Sequence, residues 1–267
     1  MLELYHTANS VCAQKVRIQL EEKGLPWTSR LMTLRGDQFD PTYLKLNPNA
    51  VVPTLVHDGF PVIESSVILY YLEECFPEPP LMPAAPKARM TVRLFNKLID
   101  ESVHNACTIL TFATALRPRF LRMKAAARER YLQSAPSRQR AEYKRDVIEH
   151  GLDSKHVGGA IRIHEQLIAA IERSLARDRY LAGPELSLAD IAVTPYVLRL
   201  DLLGLSGMWH GADGVQDWYE RVRARPAVQR AIVDCMTGDD RALFQDFETD
   251  PWPVVSRMLK THESVPG

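Results

Sequence analysis

Residues 5–17 read Tyr5-His6-Thr7-Ala8-Asn9-Ser10-Val11-Cys12-Ala13-Gln14-Lys15-Val16-Arg17. An apolar run before this segment and a helical pattern after it place the hydroxyl of Ser10 and the thiol of Cys12 between a strand end and a helix N-terminus. Such a terminus carries unpaired N–H groups and about half a positive charge, so it favours an anion such as a thiolate. Each residue has two readings. Ser10 is a plain helix cap or a hydroxyl beside a bound anion, and Cys12 is a small buried apolar residue or a reactive thiol. A second segment, Asn47-Pro48-Asn49-Ala50-Val51-Val52-Pro53-Thr54-Leu55, sets Pro53 at the entrance of a strand that reads as buried. Edge placement or a cis bond accounts for a proline there. A cis bond would leave the N–H and C=O of Val52 as a short strand edge for a bound peptide. The third segment, Val62-Ile63-Glu64-Ser65-Ser66-Val67-Ile68, puts an acid and two hydroxyls at a helix start. Helix capping explains them. So does a site for an α-amino-acid head, with Glu64 meeting the ammonium while Ser65 and the helix N-terminus meet the carboxylate.

The elements that carry these segments follow from periodicity and punctuation. Leu2–Tyr5, Trp27–Met32, Thr54–His57 and Pro61–Ile63 read as strands, with Asp58-Gly59 as a hairpin turn between the last two. Cys12–Lys23 reads as a helix stopped by Gly24 and Pro26, and Ser65–Cys75 as another. The order β-α-β-(short α)-β-β-α predicts a small α/β unit with a mixed sheet. Pro77, Pro79, Pro80, Pro83 and Pro86 then fall within ten residues, which excludes helix and central strand and predicts an extended linker. Everything beyond reads as helical. Val92, Phe95, Ile99, Val103, Ala106, Leu110 and Ala113 step by three or four, and Ile161–Leu175 is a further amphipathic helix. Leu188–Leu200 is apolar nearly all round, so it is expected to be buried on every side, with Ser187 and Asp190 as a capping box at its start. Trp218–Arg225 continues the bundle up to Pro226, and the tail Arg241–Lys260, with Phe244, Phe247 and Trp252, is expected to pack back on the body. The domains expected are thus 1–76, a linker at 77–86, and 87–267.

Composition narrows the class of function. The chain has 267 residues, 46% hydrophobic and 25% charged, with 33 basic and 33 acidic side chains and therefore no net charge. That removes the global electrostatic argument for nucleic acid. Cys12, Cys75, Cys107 and Cys235 lie far apart, without the spacing of a metal site or a disulfide framework. The start lacks a basic segment followed by an apolar one, and no apolar run reaches membrane-spanning length. A reduced, cytoplasmic, globular protein with no metal, nucleic-acid partner or membrane partner is expected. One stretch is locally basic: Arg117 to Asp146 holds ten Lys/Arg against Glu129, Glu142 and Asp146. A solvated helical excursion is its ordinary explanation, and an anion-binding role is the alternative.

Taken together, the order and spacing of these segments resemble the glutathione transferase superfamily over nearly the whole chain: a thioredoxin-like first domain, a proline linker and an all-α second domain. Ser10 to Arg17 is similar to the Ser-x-Cys-x-x-Arg-Val-Arg of zeta-class enzymes, with Val11 and Lys15 as departures. Val51 also departs, since zeta enzymes carry a glutamine there. Val52-Pro53-Thr54-Leu55 resembles the cis-proline signature, and Glu64-Ser65 the pair that holds the γ-glutamyl group. The resemblance implies that Ser10 donates its hydroxyl to the glutathione sulfur. It further implies that Val52, beside Pro53, pairs with the cysteinyl backbone and that Gln38 reaches the glycyl end. Ser-x-Cys-x-x-Lys followed by Arg is equally similar to tetrachlorohydroquinone reductive dehalogenases, in which the cysteine, here Cys12, forms a mixed disulfide with glutathione. Ala8-Asn9-Ser10 and Tyr71-Leu72-Glu73 resemble the bacterial β-etherases. The expectation is a homodimeric, cytoplasmic glutathione transferase acting on a small, mostly apolar electrophile. His104, Thr108 and Thr111, spaced by four and three off the apolar stripe, share a helix face that is either simply solvated or, as the resemblance implies, a substrate wall. Reductive or thiol-exchange chemistry at Cys12, and a non-catalytic glutathione-binding protein, are the alternatives.

Overall fold

The computed structural model describes residues 1–134, 137–245 and 249–263. Its contacts divide the chain into two compact units. The first comprises Met1–Lys97, Ser174–Pro195 and Asp217–Asp240; the second comprises Leu98–Arg173, Tyr196–Gln216 and Arg241–Gly267.

The first unit is built on four strands: β1 (Leu2–His6), β2 (Trp27–Leu31), β3 (Thr54–His57) and β4 (Phe60–Ile63), in the order β2-β1-β3-β4. β1 runs parallel to β2 and antiparallel to β3, which pairs antiparallel with β4, so the sheet is mixed as expected. The β3–β4 turn is the Asp58-Gly59 pair, both at positive φ (48° and 84°), the conformation that a tight two-residue hairpin requires. Between the strands lie α1 (Val11–Glu22) and the short α2 (Pro41–Leu46), and β4 is followed by α3 (Ser65–Cys75). α1 ends where Gly24, at φ 61°, lets Leu25 N–H return to the carbonyl of Leu20 at 3.0 Å.

No helix or strand forms between Cys75 and Pro86, as the prolines require. The stretch is nonetheless fixed. Lys23 Nζ donates to Pro79 O at 2.7 Å and pairs with Glu73 at 2.8 Å, while Glu73 accepts from the N–H groups of Leu81 and Met82.

The helical part begins with α4 (Pro86–Leu98), a π-helical turn (Ile99–Val103) and α5 (His104–Ala113), along which the whole expected apolar stripe is buried. The basic stretch forms α6 (Arg117–Arg122), α7 (Ala125–Gln133) and α8 (Arg138–His150). It is more than a solvated excursion, because Phe120, Leu132, Tyr143 and Val147 are buried. Then come α9 (Val157–Leu175), α10 (Leu188–Leu202), α11 (Asp213–Arg223), α12 (Pro226–Val228), α13 (Gly238–Ala242) and α14 (Trp252–Glu263). Every residue of α10 from Leu188 to Leu200 is buried. The tail packs back through Phe244, which is buried, and Trp252, whose ring occupies the place of a side chain at Gly207; a Cβ there would meet it at 2.1 Å. Phe247 lies outside the described residues. Among the described residues no helix is long and apolar enough to cross a membrane.

Candidate functional site

Strand register alone gathers the chemistry-bearing segments of the first unit. Tyr5 pairs with Thr54 and Thr54 with Ile63, while His6 pairs with Leu31. The turn after β1 that holds Ser10, the Val52-Pro53 step before β3, the Glu64-Ser65 pair after β4 and the segment after β2 that holds Gln38 therefore all leave the sheet at one end. The N-termini of α1 and α3 open at that same end.

Ser10 is the cap of α1. Its Oγ accepts from Ala13 N–H at 3.3 Å and has no acceptor for its own hydrogen among the described residues, so that hydrogen remains available to a ligand. Cys12 sits on the first turn of α1, half-buried. The turn before Ser10 is held by a residue to which sequence reasoning gave no role. Arg17, fully buried, donates to Thr7 O at 3.1 Å and Ala8 O at 2.8 Å, and Thr7 O also accepts the N–H of Ser10 at 3.3 Å. Arg17 reaches onward to Ala231 O at 2.7 Å and to His6 Nδ1 at 3.0 Å. A guanidinium only donates, so His6 accepts at Nδ1 and carries its hydrogen on Nε2, facing Ser29 Oγ at 2.8 Å. Burial and the Arg17 charge lower His6 to about 4. Lys15 is buried too, with Nζ donating to Ser66 Oγ at 2.7 Å, which ties the start of α1 to the start of α3.

The Val52–Pro53 bond is cis, one of the two arrangements expected for that proline. Around it the chain is braced from below. Tyr43 O–H donates to Val51 O at 2.5 Å, and Asn47 Nδ2 donates to Val51 O at 2.9 Å and to Thr54 Oγ1 at 3.0 Å. Met32, Tyr43 and Val52 form a small buried cluster beneath, with Tyr5, Leu34 and Leu46 packed against it. The N–H and C=O of Val52 itself enter no hydrogen bond among the described residues. Asn49 Nδ2 reaches Glu64 Oε1 at 3.4 Å and so links this loop to the third segment. Glu64 is exposed and takes φ 66°, a left-handed conformation that costs a non-glycine residue about 1–2 kcal/mol. Ser65, the next residue, is buried at the helix start. Gln38 is buried in a one-turn helix with its Oε1 accepting Gly36 N–H at 3.0 Å, which leaves its NH₂ as the end that can donate outward.

His104, Thr108 and Thr111 belong to the second unit. His104 and Thr108 are half-buried and Thr111 is buried; both threonine hydroxyls donate to the carbonyl one turn back, at 3.0 and 2.7 Å. Thr111 Oγ1 also accepts from Arg199 Nη1 at 3.4 Å. No group of three His, Cys, Asp or Glu able to hold a metal occurs among the described residues.

The chain is similar to known proteins over most of its length. Family models for the glutathione S-transferase N-terminal and C-terminal domains match residues 9–75 and 146–221. Glutathione S-transferase TCHQD of Arabidopsis thaliana is 28% identical over 241 residues, 86% of this chain and 89% of the relative. A stringent starvation protein A homolog of Haemophilus ducreyi is 24% identical over 232 residues, 87% of this chain and 90% of the relative. The crystal structure of the beta-etherase LigF from Sphingobium sp. strain SYK-6 matches with a TM-score of 0.75 at 26% identity, covering 86% of this chain and 98% of that one. With both family domains matched in order, and with a fold neighbour covering most of its length, the chain belongs to the glutathione S-transferase family.

Proposed function

We propose that the chain binds glutathione at the strand end described above and transfers it to, or cleaves with it, a small and mostly apolar electrophile. The observation that carries this reading is the convergence of Ser10, Val52-Pro53 and Glu64-Ser65 on one end of a single sheet. The γ-glutamyl head goes to Glu64 and Ser65. The cysteinyl backbone pairs with the open N–H and C=O of Val52 beside Pro53, and the glycyl end meets Gln38. Residues 1–76 act as the glutathione domain and, across the linker 77–86, the helical segment 87–267 carries the electrophile, with His104, Thr108 and Thr111 in its wall. The reading is of a cytoplasmic homodimer whose reaction uses no metal, nucleic acid or membrane.

The chemistry asked of Ser10 is modest. A thiol of pKa about 8.5 is only a few per cent ionised at pH 7. Lowering it by about two units takes roughly 2.7 kcal/mol of preferential thiolate stabilisation. One hydrogen bond from Ser10 O–H to the sulfur, together with the field of α1, supplies that amount. The thiolate then attacks the electrophilic carbon; the S–C bond forms and the leaving group departs with its electron pair. Cys12 keeps a second reading alive, because it stands half-buried on the same helical turn. In that chemistry the Cys12 thiolate attacks the glutathione sulfur of a glutathionyl substrate. The Cys12–glutathione S–S bond forms, the bond from that sulfur to the substrate breaks, and the substrate leaves with the electron pair and takes a proton. A second glutathione then reduces the mixed disulfide.

Paired substitutions separate these readings. For conjugation, Ser10→Ala lowers the rate about 10- to 100-fold through a raised thiol pKa, and Cys12→Ser changes it little. A stoichiometric glutathione adduct on Cys12 by mass spectrometry, together with full activity of Ser10→Ala, would overturn the serine in favour of the cysteine. Glutathione binding without turnover of any electrophile would instead favour a non-catalytic glutathione-binding protein.

A further inference from the structure

The basic stretch that the glutathione reading leaves unused contains a site of its own, wholly within the second unit. Its three carboxylates are committed elsewhere. Glu129 pairs with Arg145 at 2.7 Å and Glu142 with Arg138 at 2.8 Å, while Asp146 accepts the Ser154 hydroxyl and lies 3.7 Å from His150. Arg140 and Lys144, one turn apart on α8 and both half-buried, have no carboxylate partner among the described residues. Arg140 Nε donates to the Tyr143 hydroxyl at 3.2 Å and Nη2 to His104 Nε2 at 2.9 Å, which leaves Nη1 uncommitted. Lys144 Nζ donates to the Tyr131 hydroxyl at 3.3 Å and stands 4.7 and 5.1 Å from the ring centroids of Phe112 and Tyr131. These two rings and Phe120 form one cluster, with centroids 4.8 to 6.4 Å apart.

Two like charges at this spacing repel, and ring faces offset only part of the cost of burying them. Lys144 registers that cost: burial, reinforced by Arg140, lowers it to about 8. Among the described residues no carboxylate is hydrogen-bonded to or ion-paired with Arg140 or Lys144. His104 accepts from Arg140 at Nε2, and its Nδ1 faces the Tyr196 hydroxyl at 3.3 Å. Arg119 adds a further cation near Tyr131, and burial pushes the Tyr131 phenol up to about 12, so it stays protonated. Tyr143 already serves Arg140 as an acceptor. The result is a pair of adjacent cations, each with a donor to spare, against an apolar aromatic floor.

We propose that Arg140 and Lys144 bind a small organic carboxylate, one oxygen meeting Arg140 Nη1 and the other Lys144 Nζ. A carboxylate offers one oxygen to each of the two donors, whereas a phosphate dianion brings three oxygens and would leave at least one facing the rings unbonded. Arg140 is held by His104 of the proposed electrophile wall, so the site adjoins that wall, but it needs no glutathione and is tested by binding alone. Benzoate and benzamide are nearly isosteric and differ in charge. By titration calorimetry at pH 7, the native protein should bind benzoate at least tenfold more tightly than benzamide. Arg140→Gln and Lys144→Gln should each remove that preference. Arg138→Gln, at an exposed arginine already paired with Glu142, should keep it. Lack of preference in the native protein, or its survival in Arg140→Gln, overturns the site; displacement of benzoate by equimolar inorganic phosphate overturns the carboxylate assignment. If a variant fails to fold, the native protein still decides the matter. At pH 8.5 bound benzoate should raise the Lys144 pKa and draw in a proton, so the heat should vary with the ionisation enthalpy of the buffer. Heat that is the same in every buffer counts against Lys144 as a ligand.

Discussion

Arg17 carries a charge into the interior of the first unit with no carboxylate hydrogen-bonded to it among the described residues. Its partners are the carbonyls of Thr7, Ala8 and Ala231 and one nitrogen of His6, and burial lowers it to about 10 despite the attraction of Cys235 and Asp240. A planar fork with five donors serves several carbonyls at once, which an ammonium on a flexible stem does not. Arg17→Lys should therefore leave at least one buried carbonyl unpaired and destabilise the protein by about 2–4 kcal/mol, read by urea denaturation. The same change frees the Thr7–Ser10 turn, so glutathione affinity should fall with it. Stability within 0.5 kcal/mol of native (roughly the scatter of a neutral surface change) would show that these bonds carry little. At this scale the proline was legible, because a strand entrance admits proline in only a few arrangements and the cis bond is one of them, whereas Ser10 and Glu64-Ser65 read as readily as helix caps. The sequence hid Arg17 and Lys15, since a basic residue in a helix ordinarily reads as a solvated one. Lys15 read only as a departure from a motif, yet it is buried against Ser66.

Among the elements, α10 shows how a short polar pair can govern a long apolar helix. Asp190 is fully buried; it accepts Ser187 N–H at 2.9 Å, Ser187 O–H at 2.8 Å, Leu181 N–H at 3.0 Å and Trp218 Nε1–H at 2.9 Å. One carboxylate thus caps α10 and fastens both the chain before it and α11. Asp190→Asn keeps the shape but turns an NH₂ group toward donors, at a cost of about 2–4 kcal/mol; the melting temperature should fall by roughly 5–15 °C. Ser187→Ala, which removes a single cap hydroxyl, should cost only about 1 kcal/mol. Equal losses from the two would mean that the carboxylate matters for the cap alone. The strands, the hairpin, the proline stretch and α10 were legible because periodicity and punctuation are local signals. The π-helical turn at Ile99–Val103 was not, because the apolar stripe runs through it with its spacing almost unchanged. The burial of α7 and α8 was masked by the five arginines they carry, which read as a solvated face although Leu132, Tyr143, Val147 and Ile148 are buried.

The molecule as a whole keeps two imidazoles neutral in its interior, one in each unit. His6 is lowered to about 4 by burial and by Arg17, and His164 to about 4 by complete burial, partly opposed by its bond to Ala160 O at 2.8 Å. In the unfolded chain both titrate near 6.5. Between about pH 6.5 and 4 the unfolded state therefore holds protons that the native state does not. Stability contributed by the neutral rings is complete above 6.5 and is lost as pH falls toward 4. Each histidine should contribute a slope approaching 1.4 kcal/mol per pH unit in that window, so the pair approaches twice that. Urea denaturation at intervals from pH 7.5 to 4.5 measures it directly. His164 offers the cleaner control, because Nε2 has no partner among the described residues while Nδ1–H donates to Ala160 O, so replacement removes one hydrogen bond and one orphaned acceptor together. His164→Leu should leave stability at pH 7.5 within about 1 kcal/mol of native, because the lost bond and the relieved desolvation oppose each other. Its acid slope should be about half the native one. A variant whose slope matches the native protein would place the acid sensitivity elsewhere and leave His164 a spectator.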